Sequence, residues 1–251
     1  MSTQVNNFLS AAFRNRQASI VFRQIISQLR HYTQKRKVER AFPFMRNFHK
    51  TINRELPLLN VHYKSYVSDI SSADMAISLK TAILLRLFCE ATQPQSILDL
   101  GSGFSSFIFR SYASSKTFAK VCSVDDDPDW LLQTKNYLAS HNLPTDQLLL
   151  WDQFKNSPPA PFDFIFHDLG NMHLRKQSLD LVLALAETGQ SPIILDDLHK
   201  SHYAQFVRSV LNRYVCRFFD LSYYTLDEHG RFCGLVWDIS KPSTVADNSE
   251  G

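Results

Sequence analysis

Glycine is scarce in this sequence: there are seven in 251 residues, and two of them, Gly101 and Gly103, stand one residue apart. That scarcity excludes collagen-like and glycine-rich low-complexity architectures. The four cysteines, Cys89, Cys122, Cys216 and Cys233, are widely spaced and form no C-x-x-C pair. The thiols read as reduced core residues of a cytosolic protein. No apolar run reaches the ~18 residues of a bilayer-spanning helix. No short apolar segment at the start leads to a small-residue cleavage site, so a cytoplasmic location is the expectation. Acidic residues are missing altogether from the first 38 positions.

That last gap makes the chain lopsided. Residues 1–56 carry 11 Lys/Arg against Glu39 and Glu55, and the remainder carries 16 against 22 acids, so a basic head precedes an acidic body. Within the head, residues 8–32 have helical spacing. Phe8, Leu9, Ala12, Val21, Phe22, Ile25, Leu29 and Tyr32 fall largely on one face, with Arg14, Arg16, Arg23 and Arg30 among them. Such a helix covers its own domain, lies on an anionic membrane surface, or packs on a partner protein or a second copy of the chain. The Arg-rich start also has the composition of an organelle-targeting peptide. The divisions expected are a basic helical extension over 1–73, an α/β domain over 74–240 and a disordered polar tail over 241–251.

From Asp74 onward the pattern is regular. The stretch 74–91 reads as a helix capped by Asp74 or Ser72. Apolar runs at 96–100, 120–125, 147–151, 162–167 and 192–196 read as strands, and 105–114, 128–140, 172–188 and 200–213 carry helical spacing. Alternation of this kind implies a parallel sheet with helices on both faces. The end differs. Two β-rich runs, RYVCRFFDLSYYT and RFCGLVW, flank Asp-Glu-His-Gly, and a turn that short predicts an antiparallel hairpin.

The glycine pair sits between the first strand and a helix, where chain reversal and close approach of a ligand both favour the absence of Cβ. A G-x-G-x-x-G dinucleotide fingerprint would place its third glycine at Ser106. Asp99, two positions before Gly101, would repel a pyrophosphate but tolerates a ligand bearing an ammonium and a sulfonium. At the tip of strand two, Asp125 is placed to accept both hydroxyls of a ribose, while Asp126 and Asp127 read as turn and helix cap. A nucleoside with a cationic tail points to S-adenosylmethionine rather than NAD. Phe104, Phe107 and Phe109 in the following helix read as core.

The series D-L-G-S-G-F-S, V-D-D-D-P, F-D-F-I-F-H-D and I-I-L-D-D resembles a class I S-adenosylmethionine-dependent methyltransferase across residues 74–240. The resemblance implies a Rossmann-like seven-stranded sheet in the order 3-2-1-4-5-7-6, with strand 7 antiparallel. It implies that Asp99, Gly101 and Gly103 hold the methionine end of the cofactor, with Ser105 where the family often has a third glycine. Asp125 would then take the ribose, and Trp151 or Asp152 would border the adenine. Residues 71–78 resemble the N-terminal lid of small-molecule O-methyltransferases.

Asp168 ends strand four, and Asp196 and Asp197 end strand five. Ligands of an open parallel sheet bind beyond such strand ends, and three hard oxygen donors there suit Mg²⁺. The trio resembles the metal-dependent catechol and macrocin types of O-methyltransferase. The alternative is that Asp168 meets cofactor or substrate directly while Asp196 and Asp197 cap loops or pair with Lys200. Those relatives carry a Lys or His base three residues after the strand-four Asp, where this chain has Asn171. His199, His173 and His202 are the replacement candidates, His199 first because it follows the acidic pair. The expected reaction is methyl transfer to a hydroxylated small molecule. N-methylation, a nucleic-acid acceptor favoured only by the basic head, and a silent binding module are the rivals.

Overall fold

The computed structural model describes residue 29 and residues 31–116, 118–159, 161–186 and 191–240. Most of the basic amphipathic stretch at 8–32 and all of the tail at 241–251 therefore lie outside the described residues. Helix α1 covers residues 31–41, and a 3-10 turn at Pro43–Asn47 leads into α2 (Phe48–Asp69). Then come α3 (Leu79–Thr92), β1 (Ser96–Leu100), α4 (Phe104–Ser114), β2 (Lys120–Asp125), α5 (Pro128–Ser140), β3 (Leu148–Leu150) and α6 (Trp151–Asn156). The chain continues through β4 (Phe164–His167), α7 (Met172–Leu185), β5 (Ile193–Leu195), α8 (Ser201–Leu211), β6 (Val215–Asp220), α9 (Ser222–Thr225) and β7 (Gly234–Ser240). Among the described residues no helix is long and apolar enough to cross a membrane.

The sheet runs β3-β2-β1-β4-β5-β7-β6, as expected, with β7 antiparallel to both of its neighbours. Its central strands read as unbroken apolar runs because both faces are covered. Ile97, Phe164, Phe166 and Ile194 point into one cluster with α2, α3 and α4. Their neighbours Leu98, Ile165, Ile193 and Leu195 point into another with α6, α7 and α8. Residues before 74 share that first cluster: Val38, Phe42, Met45, Phe48, Leu59 and Tyr66 are all buried in it. Phe42 packs edge-on against Phe219 and Trp237, with ring centres 5.5 and 5.0 Å away.

Local chemistry sets two boundaries differently from the sequence pattern. Helix α3 starts at Leu79, capped by Ser78 Oγ through the Thr81 amide at 3.1 Å. Ser72 and Asp74 do not cap it, because they lie in a separate turn ahead of it, where the Ser72 carbonyl accepts the Met75 and Ala76 amides. At the other end, β6 stops at Asp220, whose Oδ1 accepts the Ser222 amide at 2.8 Å and starts α9. Leu221 and Tyr224 then bury in the core, so the β-rich LSYYT run does not extend the strand. β6 and β7 do pair antiparallel, but a thirteen-residue connection (221–233) joins them, with the Asp-Glu-His-Gly turn at its tip.

Candidate functional site

The turn after β1 is held from three sides. Gly101 has φ of 96°, and a Cβ there would lie 2.5 Å from the Asp168 carbonyl oxygen. Gly103 has φ of 156°, and its Cβ would lie 2.8 Å from Tyr66 Oη. Gly101 is thus required by the protein's own backbone packing, besides any ligand, whereas at Gly103 the φ disfavours a side chain and the Tyr66 hydroxyl would have to shift. Between them, Ser102 is fixed through its carbonyl by Trp130 Nε1 at 2.7 Å.

Asp125 is the partner of Ser102 at the tip of β2. Its Oδ2 accepts the Ser102 amide at 2.7 Å and Ser102 Oγ at 2.9 Å, and its Oδ1 accepts the Asp127 amide at 3.1 Å. A carboxylate has about four acceptor positions, so one on Oδ1 is left for a ligand. It can take one ribose hydroxyl, where the sequence led us to expect two. Burial pushes the Asp125 carboxyl up to about 6, against the pull of the Asp127 and Ser102 hydrogen bonds.

Asp99 does not line the cavity. It is fully buried behind the turn, where Oδ2 accepts Ser106 Oγ at 2.5 Å and Ser123 Oγ at 2.9 Å. Arg110 donates to Ser123 Oγ at 2.6 Å, extending the network. Burial raises the Asp99 carboxyl above its ordinary range, and Oδ1 is a buried acceptor with no partner.

In front of the turn is a cavity of about 360 Å³, lined in part by Tyr66, Gly101, Asp125, Trp130, Asp168 and Arg175. That volume falls within the range of small-molecule sites, roughly 300–1,000 Å³. Met75, Ala76 and Ile77, from the stretch read as a lid, also line it, as do Gly103 and Ser105. The mouth carries Asp126, Asp127 and Asn171. Asp127 caps α5, accepting the Asp129 and Trp130 amides at 2.8 and 3.1 Å. Asn171 caps α7 in the same way, which gives that position a structural use in place of a base.

Two of the three strand-end carboxylates, Asp168 and Asp197, do meet, but around an arginine. Arg175 Nη2 lies 2.5 Å from Asp168 Oδ1, and Nη1 lies 2.7 Å from Asp197 Oδ2. Lys200 Nζ reaches the same Asp197 oxygen at 2.7 Å. Asp196 Oδ1 accepts the Asp197 amide at 2.7 Å and Cys233 Sγ at 3.2 Å. Burial pushes Asp168 up, with Asp196 and Asp197 adding to it against the pull of Arg175. Asp197 goes the other way: against the cost of burial, Arg175 and Lys200 hold it below the ordinary range. Among the described residues no group of three His, Cys, Asp or Glu is arranged to hold a metal ion. The expected Mg²⁺ trio of Asp168, Asp196 and Asp197 is therefore corrected to an ion-pair cluster.

Several expected residues stand elsewhere. His199 lines a second cavity of about 230 Å³ with Arg208 and Asp220, its Nδ1 3.4 Å from Asp197 Oδ1. His173 and His202 are exposed, and neither lines the first cavity. Trp151 is buried against Phe154 at the start of α6, and Asp152 is exposed and paired with Lys155. Neither is part of the lining. Conversely, Tyr66, Trp130 and Arg175 are wall residues that the sequence reading missed.

No protein-family profile matches the sequence, and no curated protein matches it. Solved structures do. The O-methyltransferase TomG from Streptomyces achromogenes, in complex with SAM, is similar at a TM-score of 0.55 and 15% identity, over 70% of this chain and 86% of that one. The SAH-bound Podospora anserina methyltransferase PaMTH1 gives 0.56 and 14%, over 71% and 87%. The O-methyltransferase from Bacillus cereus in complex with SAH gives 0.50 and 13%, over 82% and 96%. The fold is that of the class I methyltransferases. In this methyltransferase fold the strand order reverses between β1 and β4, the switch point where open α/β sheets bind ligands. The cavity sits there, bounded by the turns after both strands.

Proposed function

We propose that this chain is an S-adenosylmethionine-dependent methyltransferase acting on a hydroxyl oxygen of a small molecule, without a divalent metal. The observation that carries the reading is the cavity at the β1/β4 switch point, with Asp125 offering one free acceptor beside the glycine turn. The residues suit the cofactor: Asp125 Oδ1 for a ribose hydroxyl and the turn from Gly101 to Ser105 for the methionine end, with Asp99 buried behind that turn and bracing it through Ser106. When bound, S-adenosylmethionine supplies a methyl group on a cationic sulfur, open to displacement by a well-placed oxygen.

The protein's part is to position the acceptor and take its proton. Asp168 is the candidate base, since it is a carboxylate that lines the cavity at the end of β4. Tyr66 and Met75 to Ile77 are the parts of the wall supplied from before α3, with Met75 exposed and Tyr66 buried.

The test is calorimetry. S-adenosylmethionine or its demethylated product should bind, and Asp125→Ala should weaken that binding at least about tenfold, the loss of a buried hydrogen bond to a charged group. Absence of heat with either compound, alongside tight NAD(H) binding, would refute the reading. A second reading, a module that binds without turnover, draws on the lack of histidine in the lining among the described residues. Product formation across an acceptor panel in the presence of a chelator separates the two.

A further inference from the structure

We propose that the Arg175 guanidinium is a built-in replacement for a divalent cation, so that the cavity presents a fixed protein charge and takes no metal. The proposal rests on the methyl-transfer reading for what that charge faces, but its geometry stands alone. Three carboxylates stand just past the ends of β4 and β5, the residue type that draws a hard cation, and two of them, Asp168 and Asp197, share Arg175.

Arg175 enters this set from the start of α7, and its side chain is held at three points. Nη2 meets Asp168 Oδ1 at 2.5 Å, Nη1 meets Asp197 Oδ2 at 2.7 Å, and Nε donates to the Leu169 carbonyl at 3.2 Å. A Mg²⁺ ion needs its oxygens at about 2.1 Å. The oxygens it would use on Asp168 and Asp197 are already covered by N–H donors, and Lys200 Nζ covers the latter a second time. The third carboxylate, that of Asp196, makes no ion pair with Arg175, and its Oδ1 accepts the Asp197 amide and Cys233 Sγ. Arg175 is only 7% exposed, so an ion entering the cluster would strand a buried cation. Its three attachments leave one N–H on each terminal nitrogen not taken up by those acceptors, and Arg175 lines the same cavity as Gly101 and Asp168.

The experiment is a Mn²⁺ titration of the full chain followed by electron paramagnetic resonance, on wild type and on Arg175→Ser. Wild type should leave Mn²⁺ free. Arg175→Ser, with its carboxylates unshielded, should bind Mn²⁺ at least about tenfold more tightly. Stoichiometric Mn²⁺ binding by wild type that Asp168→Asn abolishes would overturn the proposal. So would a folded Arg175→Ser that binds Mn²⁺ no better than wild type. If that variant does not fold, the wild-type titration decides by itself. Calorimetry with S-adenosylhomocysteine on the same wild-type sample tests the methyl-transfer reading separately, because its failure leaves the Mn²⁺ result standing.

Discussion

Lowering the pH should loosen the cofactor through Asp125. Its carboxyl moves from an ordinary 3.8 to about 6 on folding, because it is only 6% exposed and three hydrogen bonds do not fully replace water. The proposed ribose contact needs the ionised form, since three of four acceptor positions are already taken. At pH 5 about one molecule in eleven is ionised, so affinity for S-adenosylhomocysteine should be about tenfold below its plateau near pH 8. No histidine lines the cavity among the described residues to imitate the effect. The same shift acts on stability with the opposite sense to a salt-bridged acid. The folded state holds the proton more tightly than the unfolded chain, so Asp125 costs about 3 kcal/mol above pH 6. That cost shrinks as the pH falls from 6 towards 4. Isothermal titration from pH 5 to pH 8 reads the affinity, and thermal melts of the unliganded protein read the stability. A flat affinity over that range, or an unchanged slope in Asp125→Ala, would refute the reasoning.

Four further changes test the rest. Gly101→Ala forces a Cβ against the Asp168 carbonyl at positive φ, so ligand binding should fall more than about tenfold, the equivalent of 1.4 kcal/mol; unaltered affinity would show that the turn is not part of the site. Gly234→Ala drives a Cβ into Leu198 and the Phe218 ring, and overpacking of about 1–3 kcal/mol should lower the melting temperature by a few degrees with ligand affinity intact. Asp127→Ala removes the α5 cap and should cost about 0.5–2 kcal/mol by denaturant titration. Exhaustive chelation should leave S-adenosylhomocysteine affinity unchanged by calorimetry, and a loss restored by Mg²⁺ would contradict the Arg175 geometry.

The sheet is legible in the sequence because its strands are buried on both faces, which turns each into a short apolar run with glycine, acid or proline at its edges. The Asp127 cap and the place of Asp125 at the cavity are legible too, since both follow locally from the end of a strand. What lies around Asp168 is not. The acids advertise a cation site, but the cation that fills it comes from α7, and only the fold brings it to the ends of β4 and β5. One signal was available: Arg175 shares a helix stripe with Ser178, Leu179 and Val182, all buried, and a charge on such a stripe needs a counter-ion. The histidines mislead for the opposite reason. His199 follows the acidic pair in sequence, yet the chain turns it into a separate cavity. Tyr66 was invisible because its role depends on how α2 lies across the turn at Gly103.

That placement of Tyr66 bears on where the working unit begins. The sheet, the glycine turn and the acids are all encoded after Asp74, yet the aromatic roof of the turn is delivered by a helix that starts at Phe48. A trimmed protein keeping only the sheet would expose Gly103 and Phe104 to water where Tyr66 now covers them. The smallest piece that keeps this packing includes α2.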